Sequence, residues 1–258
     1  MLAQQTQVLQ QTQVQYDNLV QFPVPSTTPK RVSPAKERKG MKQEVYPFKE
    51  DKYIEGMQRY FLTEYKKAST GTRKMQALRD WLWFVLGINI GFRGGDVSAL
   101  KWSDLVDKSY KPYDSAYHYV QEEKTGKYRQ LVFNADCRRM IQFYLDHVSI
   151  KPRLDSYVFS SQKGGNLTAH SYLPTLKKAA KAVGVPYNVG THSLRKTFGY
   201  RYYKTTGDLD TLQRIFNHSS SLITMRYIGL DAEILKAAYE RVNGTTLPED
   251  VLKEFMDD

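Results

Sequence analysis

Cysteine is almost missing from this chain. Cys137 is the single one in 258 residues, which excludes an internal disulfide framework and fits a reducing compartment. Long apolar runs are missing as well: no stretch approaches the roughly eighteen consecutive apolar residues of a membrane span, and no basic, apolar, small-residue leader pattern is visible. The sequence therefore predicts no membrane partner and a cytoplasmic location. A third scarcity is local. Between Asp155 and Asp208 there is no acidic residue, while Lys163, Lys177, Lys178, Lys181, Arg195, Lys196, Arg201 and Lys204 are all basic. Such a surface attracts phosphates and lacks the clustered carboxylates with which a magnesium-dependent nuclease holds its metal. The formal net charge is +11 and the pI is near 9.4, so nucleic acid is the first partner to consider and metal-free chemistry the first mechanism. A merely basic protein is the alternative that charge alone leaves open.

What is present falls into three parts. Residues 1–44 carry eight glutamines within the first 21 residues, then four prolines and six lysines or arginines within residues 22–44; this composition predicts a flexible segment whose second half is an extended basic linker suited to a DNA backbone. Residues 45–245 carry the helical patterns of one domain, large enough to bury a core. Residues 246–258 form an acidic tail, with five acids against one lysine in the last twelve positions.

Within the domain, residues 53–68 read as a helix and residues 73–91 as a central buried one, apolar on most faces and ended by Gly91. Residues 96–100 read as a short helix opened by the acid Asp96. The stretches 116–123 and 128–134 alternate in character around a turn containing Lys124 and predict a β-hairpin. Further helices are expected at 135–149, 168–183, 191–206, 208–216, 219–228 and 231–242. The fold class is thus mainly α with a small antiparallel sheet.

Residues 191–229 organise the rest. Cleaving a DNA phosphodiester without metal needs a nucleophile, cations that neutralise the phosphate oxygens in the transition state, and an acid for the leaving 5′ oxygen. Arg93 and Arg195 are candidates for the phosphate, because a guanidinium offers a planar fork that matches two oxygens at once; the plainer reading of Arg93 is a cap, or a partner of Asp96 or Asp104. Tyr227, one of 19 tyrosines, is singled out only by its position after Arg226 and nine residues beyond His218, and its phenol needs positive neighbours or a base to act. His192 and Arg195, spaced i, i+3, share one face of a helix. His218 precedes three serines at an expected helix start whose backbone N–H groups could face an anion. Lys124 could protonate the leaving oxygen if nearby arginines lower its pKa. Each histidine and the lysine also has a purely structural or solvated reading.

Together these residues resemble the catalytic domain of the tyrosine recombinases, the phage integrase family. GFRGGDVSALKWSDL resembles the segment of the family's first arginine and places Arg93, with Asp96 as its acid. THSLRKTF resembles the His-x-x-Arg box and places His192 and Arg195. NHSSSLITMRYIG resembles the closing segment and places His218 and Tyr227, while Lys124 falls on the hairpin that carries the family's lysine. The resemblance implies site-specific cleavage and rejoining of double-stranded DNA through a covalent 3′-phosphotyrosine, with neither metal nor ATP as cofactor. It also implies a homo-oligomer, a tetramer, on nucleoid DNA in a prokaryotic host, a C-terminal segment docked on a neighbouring protomer, and an accessory DNA-bending protein as a further partner. Two features depart from the family pattern. Residues 1–44 are too short and polar to form the helical domain that usually precedes the catalytic one, and Phe216-Asn217 stands where many members have Leu-Gly; Asn tolerates the left-handed backbone such a turn needs. Two alternatives share the scaffold: a type IB topoisomerase-like enzyme, which would relax supercoils without recombinants, and a non-catalytic DNA-binding regulator, which would need no nucleophile.

Overall fold

A segment apolar on most faces must be wrapped by the rest of the chain, and that requirement sets the architecture. The computed structural model describes residues 44–113, 118–121, 126, 128–161 and 164–242, with the side chains of residues 118 and 231–234 excepted. The central helix is the second. Helix α1 (Asp51–Lys67) buries Met57 and Phe61 and carries Asp51 in its first turn and Lys66 and Lys67 in its last, charges that oppose its dipole. Helix α2 (Gly71–Asn89) starts at Thr70, whose side chain accepts from the Arg73 N–H, and buries Leu78 and then every residue from Leu82 to Ile88. Around it, Phe84 packs edge-on against Phe48, and Trp83 stacks on Tyr172 with ring centres 4.6 Å apart. Each such fully buried side chain contributes about 1.5–3 kcal/mol relative to exposure.

Two short helices follow. α3 (Gly94–Ser98) begins two residues earlier than the sequence reading placed it, and Arg93, not Asp96, is its N-cap. Asp96 sits instead in the first turn, where a carboxylate still faces the positive end of the dipole. α4 (Trp102–Leu105) was not anticipated; at four residues it is too short to show a period, and Trp102 and Leu105 are buried. The hairpin pairs β1 (His118–Gln121) with β2 (Tyr128–Leu131) antiparallel, in the register His118 with Leu131 and Gln121 with Tyr128. Among the described residues the pairing runs to Leu131, and Asn134 already caps the next helix, accepting from the Cys137 N–H at 2.9 Å. Helices α5 (Ala135–His147), α6 (Ala169–Val183), α7 (Thr191–Thr206), α8 (Leu209–Phe216), α9 (Ser221–Tyr227) and α10 (Asp231–Arg241) complete the order. Among the described residues, no helix is long and apolar enough to cross a membrane.

Two apolar clusters result. The larger gathers around α2 and draws on α1, α5 and α6. The smaller is built from Leu212, Phe216, Ile228 and Leu230, with Phe198 and Tyr227 packed against it. Helix α7 lies between them, touching α2 on one side and α8 on the other. Gly199 makes that approach possible, since a Cβ there would stand 2.6 Å from an Ile228 methyl and 2.7 Å from the Phe216 ring.

Candidate active site

The seam between the two clusters is bridged by one buried cation. Arg195, 3% exposed, is carried by the first turns of α7, which Gly190 and Ser193 cap reciprocally. Its Nη1 donates to the Gly91 carbonyl at 2.7 Å and its Nη2 to the Phe216 carbonyl at 2.9 Å. One guanidinium thus ties the turn after α2 to the end of α8, and the charge-assisted bonds offset the cost of burying it. The two acceptors exist because the chain turns sharply at both places. Gly91 adopts φ +63°, and a Cβ there would meet the Phe198 ring at 2.5 Å. Asn217 adopts φ 52° and ψ 46° at the C-cap of α8, so the left-handed turn expected of Phe216-Asn217 forms without glycine.

Tyr227 is the last residue of α9, and its hydroxyl lies 3.1 Å from His192 Nδ1. The helix start on which this depends is later than expected. α9 begins at Ser221 and not at residue 219, Ser220 caps it by accepting from the Ile223 N–H, and the His218 N–H is already bonded to the Gln213 carbonyl. His218 therefore brings its ring to the site and not its backbone donor. That ring meets Tyr227 edge-on with centres 5.2 Å apart, and its Nδ1 is 3.0 Å from Thr224 Oγ1. The Thr224 hydroxyl can donate to the Ser220 carbonyl at 3.3 Å. In that arrangement it accepts from Nδ1–H of His218, a tautomer assigned from the network.

Burial and two guanidiniums set the charges here. Burial pushes the His218 pKa down to about 4, and the fields of Arg195 and Arg93 push the same way, so the imidazole is neutral at neutral pH. Burial raises the Tyr227 phenol, against the opposing pull of Arg195 and then Arg93. The phenol is therefore protonated, and an acceptor such as His192 is needed before its oxygen can attack. Arg93 acts on both residues, so it belongs to the same locus; its Nη1 also sits 4.0 Å from Asp96 Oδ2. The plainer reading of Arg93, a partner of Asp96 at the start of α3, is thus met. Arg93, His192, Arg195, His218 and Tyr227 come together from one chain, while Lys124 lies outside the described residues.

Some neighbours were not legible as such. Lys196 is 8% exposed; its ammonium stands 5.5 Å from the centre of the Tyr227 ring and 3.8 Å from Glu44, and burial lowers its pKa against the pull of Glu44. A residue next to Arg195 in sequence points to another side of the helix, so only packing brings it to Tyr227. Thr224 gives no sequence signal for its bond to His218.

The pattern of the phage integrase family matches residues 39–233. Among similar proteins, a probable integrase/recombinase of Bacillus subtilis, YoeC, is 32% identical over 200 residues, which cover 78% of this chain and 98% of that one. The tyrosine recombinase XerC 1 of Ralstonia nicotianae is 31% identical over 160 residues, 58% of this chain and 45% of that protein, so the chain spans less than half of that relative. In fold it is similar to the XerA recombinase, with TM-score 0.56 at 22% identity over 80% of this chain and 67% of that one. It is also similar to the XerH recombinase captured after cleavage on palindromic difH DNA, with TM-score 0.52 at 20% identity over 71% of this chain and 50% of that one.

Proposed function

Since this chain belongs to the phage integrase family, a class of enzymes that break and rejoin DNA, we propose that it is a site-specific recombinase in which Tyr227 attacks a scissile phosphate held by Arg93 and Arg195. The observation that carries the reading is the 3.1 Å contact between the Tyr227 hydroxyl and His192 Nδ1, in the field of two guanidiniums from the same chain. In the first step the phenol proton passes to His192, the Tyr227 oxygen bonds to phosphorus, and the bond from phosphorus to the 5′ oxygen breaks. Lys124 gives the departing 5′ oxygen its proton. The products are a 3′-phosphotyrosyl ester and a free 5′ hydroxyl. Attack by a 5′ hydroxyl on that ester reverses each transfer, so the bond energy is conserved and no nucleotide cofactor is consumed. The arginines face the charge that grows on the non-bridging oxygens, a form of stabilisation worth about 10²–10³ in rate for one preorganised donor. An anionic phosphate beside His218 offsets the two guanidiniums and favours its protonated form, which holds the phosphate.

Double-stranded DNA is the substrate in this reading, met on the nucleoid, with a tetramer assembled on it and an accessory bending protein aiding synapsis. Helix α10 supports the docking of one protomer on the next: Leu235 and Tyr239, spaced i, i+4, and Val242 at its C-cap are 56%, 78% and 73% exposed.

The test is to incubate the full chain with a pool of nicked random-sequence duplexes and isolate covalent complexes under denaturing conditions. The wild-type protein is expected to trap a defined sequence, and Tyr227→Phe to bind that sequence as well while trapping none. An adduct formed by Tyr227→Phe, or none formed by the wild type, overturns the reading.

A further inference from the structure

Strand β2 carries an arginine that the mechanism above does not use. Arg129 Nη2 donates to the Gly91 carbonyl at 3.2 Å and lies 3.4 Å from the Ile90 carbonyl, and its guanidinium carbon stands 4.1 Å from the centre of the Phe92 ring. All three residues immediately before Arg93 are thus in contact with one side chain. The Gly91 oxygen is also the acceptor of Arg195 Nη1. Two guanidiniums thus share one carbonyl oxygen, whose two lone pairs accept one donor each. What the arrangement fixes is the turn from α2 to Arg93, already forced into a left-handed step at Gly91 and wedged against Phe198.

We propose that Arg129 is a positioning residue for the reaction: by holding Ile90, Gly91 and Phe92 it sets the backbone from which Arg93 reaches the phosphate, and through the shared Gly91 oxygen it sets the reach of Arg195. The inference rests on the reading that these two arginines neutralise the scissile phosphate. Capping the carbonyl end of α2 is the structural role it must be told apart from. The chemistry of the substrate separates them. A methylphosphonate at the scissile position lacks one non-bridging negative charge, so a displaced arginine costs less there than on phosphate, whereas a weakened fold slows both substrates alike.

The experiment uses the full chain and the duplex sequence recovered by trapping, made with either group at the scissile position, and follows single-turnover cleavage. Arg129→Met is expected to slow phosphate cleavage about 10–10²-fold, the scale of a displacement near one ångström, with DNA affinity little changed, and to slow methylphosphonate cleavage only a few-fold. Arg129→Lys keeps the charge and most of the packing but loses the fork; it is expected between Arg129→Met and the wild type, and it stands in for Arg129→Met if that variant does not fold. Arg93→Ala is the internal standard. If its own defect does not shrink on methylphosphonate, the phosphate-gripping reading fails. If it does shrink while the Arg129 variants slow both substrates equally, or neither, the positioning role is overturned.

Discussion

Helices α2 and α7 pack against each other and are built on opposite principles. α2 buries Leu78, Leu82, Trp83, Phe84, Val85, Leu86, Gly87 and Ile88, so area removed from water holds it in place and no single partner is essential. α7 buries Ser193, Leu194, Arg195, Lys196, Thr197 and Gly199, and most of these need a specific partner. Ser193 Oγ accepts from the Gly190 N–H. Thr197 Oγ1 accepts from the Phe48 N–H at 2.8 Å and donates to the Ser193 carbonyl. Arg195 has its two carbonyls. The difference teaches a division of labour in packing: one helix anchors the core by buried area so that its neighbour can hold buried polar groups in fixed directions.

The comparison can be broken first at Arg195, where the largest effect is expected. Arg195→Ala should cut the rate of covalent adduct formation by about 10²–10³. It should also destabilise the fold by roughly 1.5–3 kcal/mol, because two carbonyls lose a charged donor. Single-turnover trapping and urea unfolding measure the two losses separately; an unchanged trapping rate would place Arg195 outside the chemistry.

Trp83→Ala tests the opposite helix. It should cost about 3–5 kcal/mol of stability while leaving the trapping rate per folded molecule unchanged at low temperature. A rate loss larger than the unfolded fraction explains would mean that α2 does more than support α7.

The smallest expected effect sharpens the electrostatic side of the contrast. His218 titrates near 4 in the fold against an ordinary value of 6.5, so between those pH values the unfolded chain binds the extra proton and stability rises with pH. Acidification from about 6.5 to about 4 should therefore destabilise the wild-type protein, and His218→Asn should flatten that dependence in pH-resolved thermal unfolding. Equal slopes for the two proteins would show that the imidazole is not held neutral by its surroundings.

Sequence periodicity was enough to find the long helices. The apolar run of α2 and the spacing of α5, α6 and α7 gave boundaries within two residues or so, because burial of a face leaves a regular mark. It failed at α4, whose four residues are too short for a period, and at the start of α9, where Ser220 was the cap among three serines of equal propensity. The site was legible as a set of residue types in order. Arg93, His192, Arg195, His218 and Tyr227 stood out by their motifs, and the structure brings all five together. Lys196, Thr224 and Arg129 did not stand out, because a lysine beside an arginine, a threonine in a helix and an arginine on a strand are ordinary until something is packed against them.

By itself, then, the sequence determined the fold class, the basic and acid-free stretch and the order of the chemical groups, since hydrophobic period and charge are properties of neighbours along the chain. Only the tertiary structure decided that one guanidinium would bridge Gly91 and Phe216 and that burial would outweigh the two arginines at the Tyr227 phenol beside His192. It alone decided, too, that the imidazole of His218 would be neutral. Those outcomes depend on distance and desolvation between residues more than a hundred positions apart in sequence, and neither quantity exists before the chain has folded.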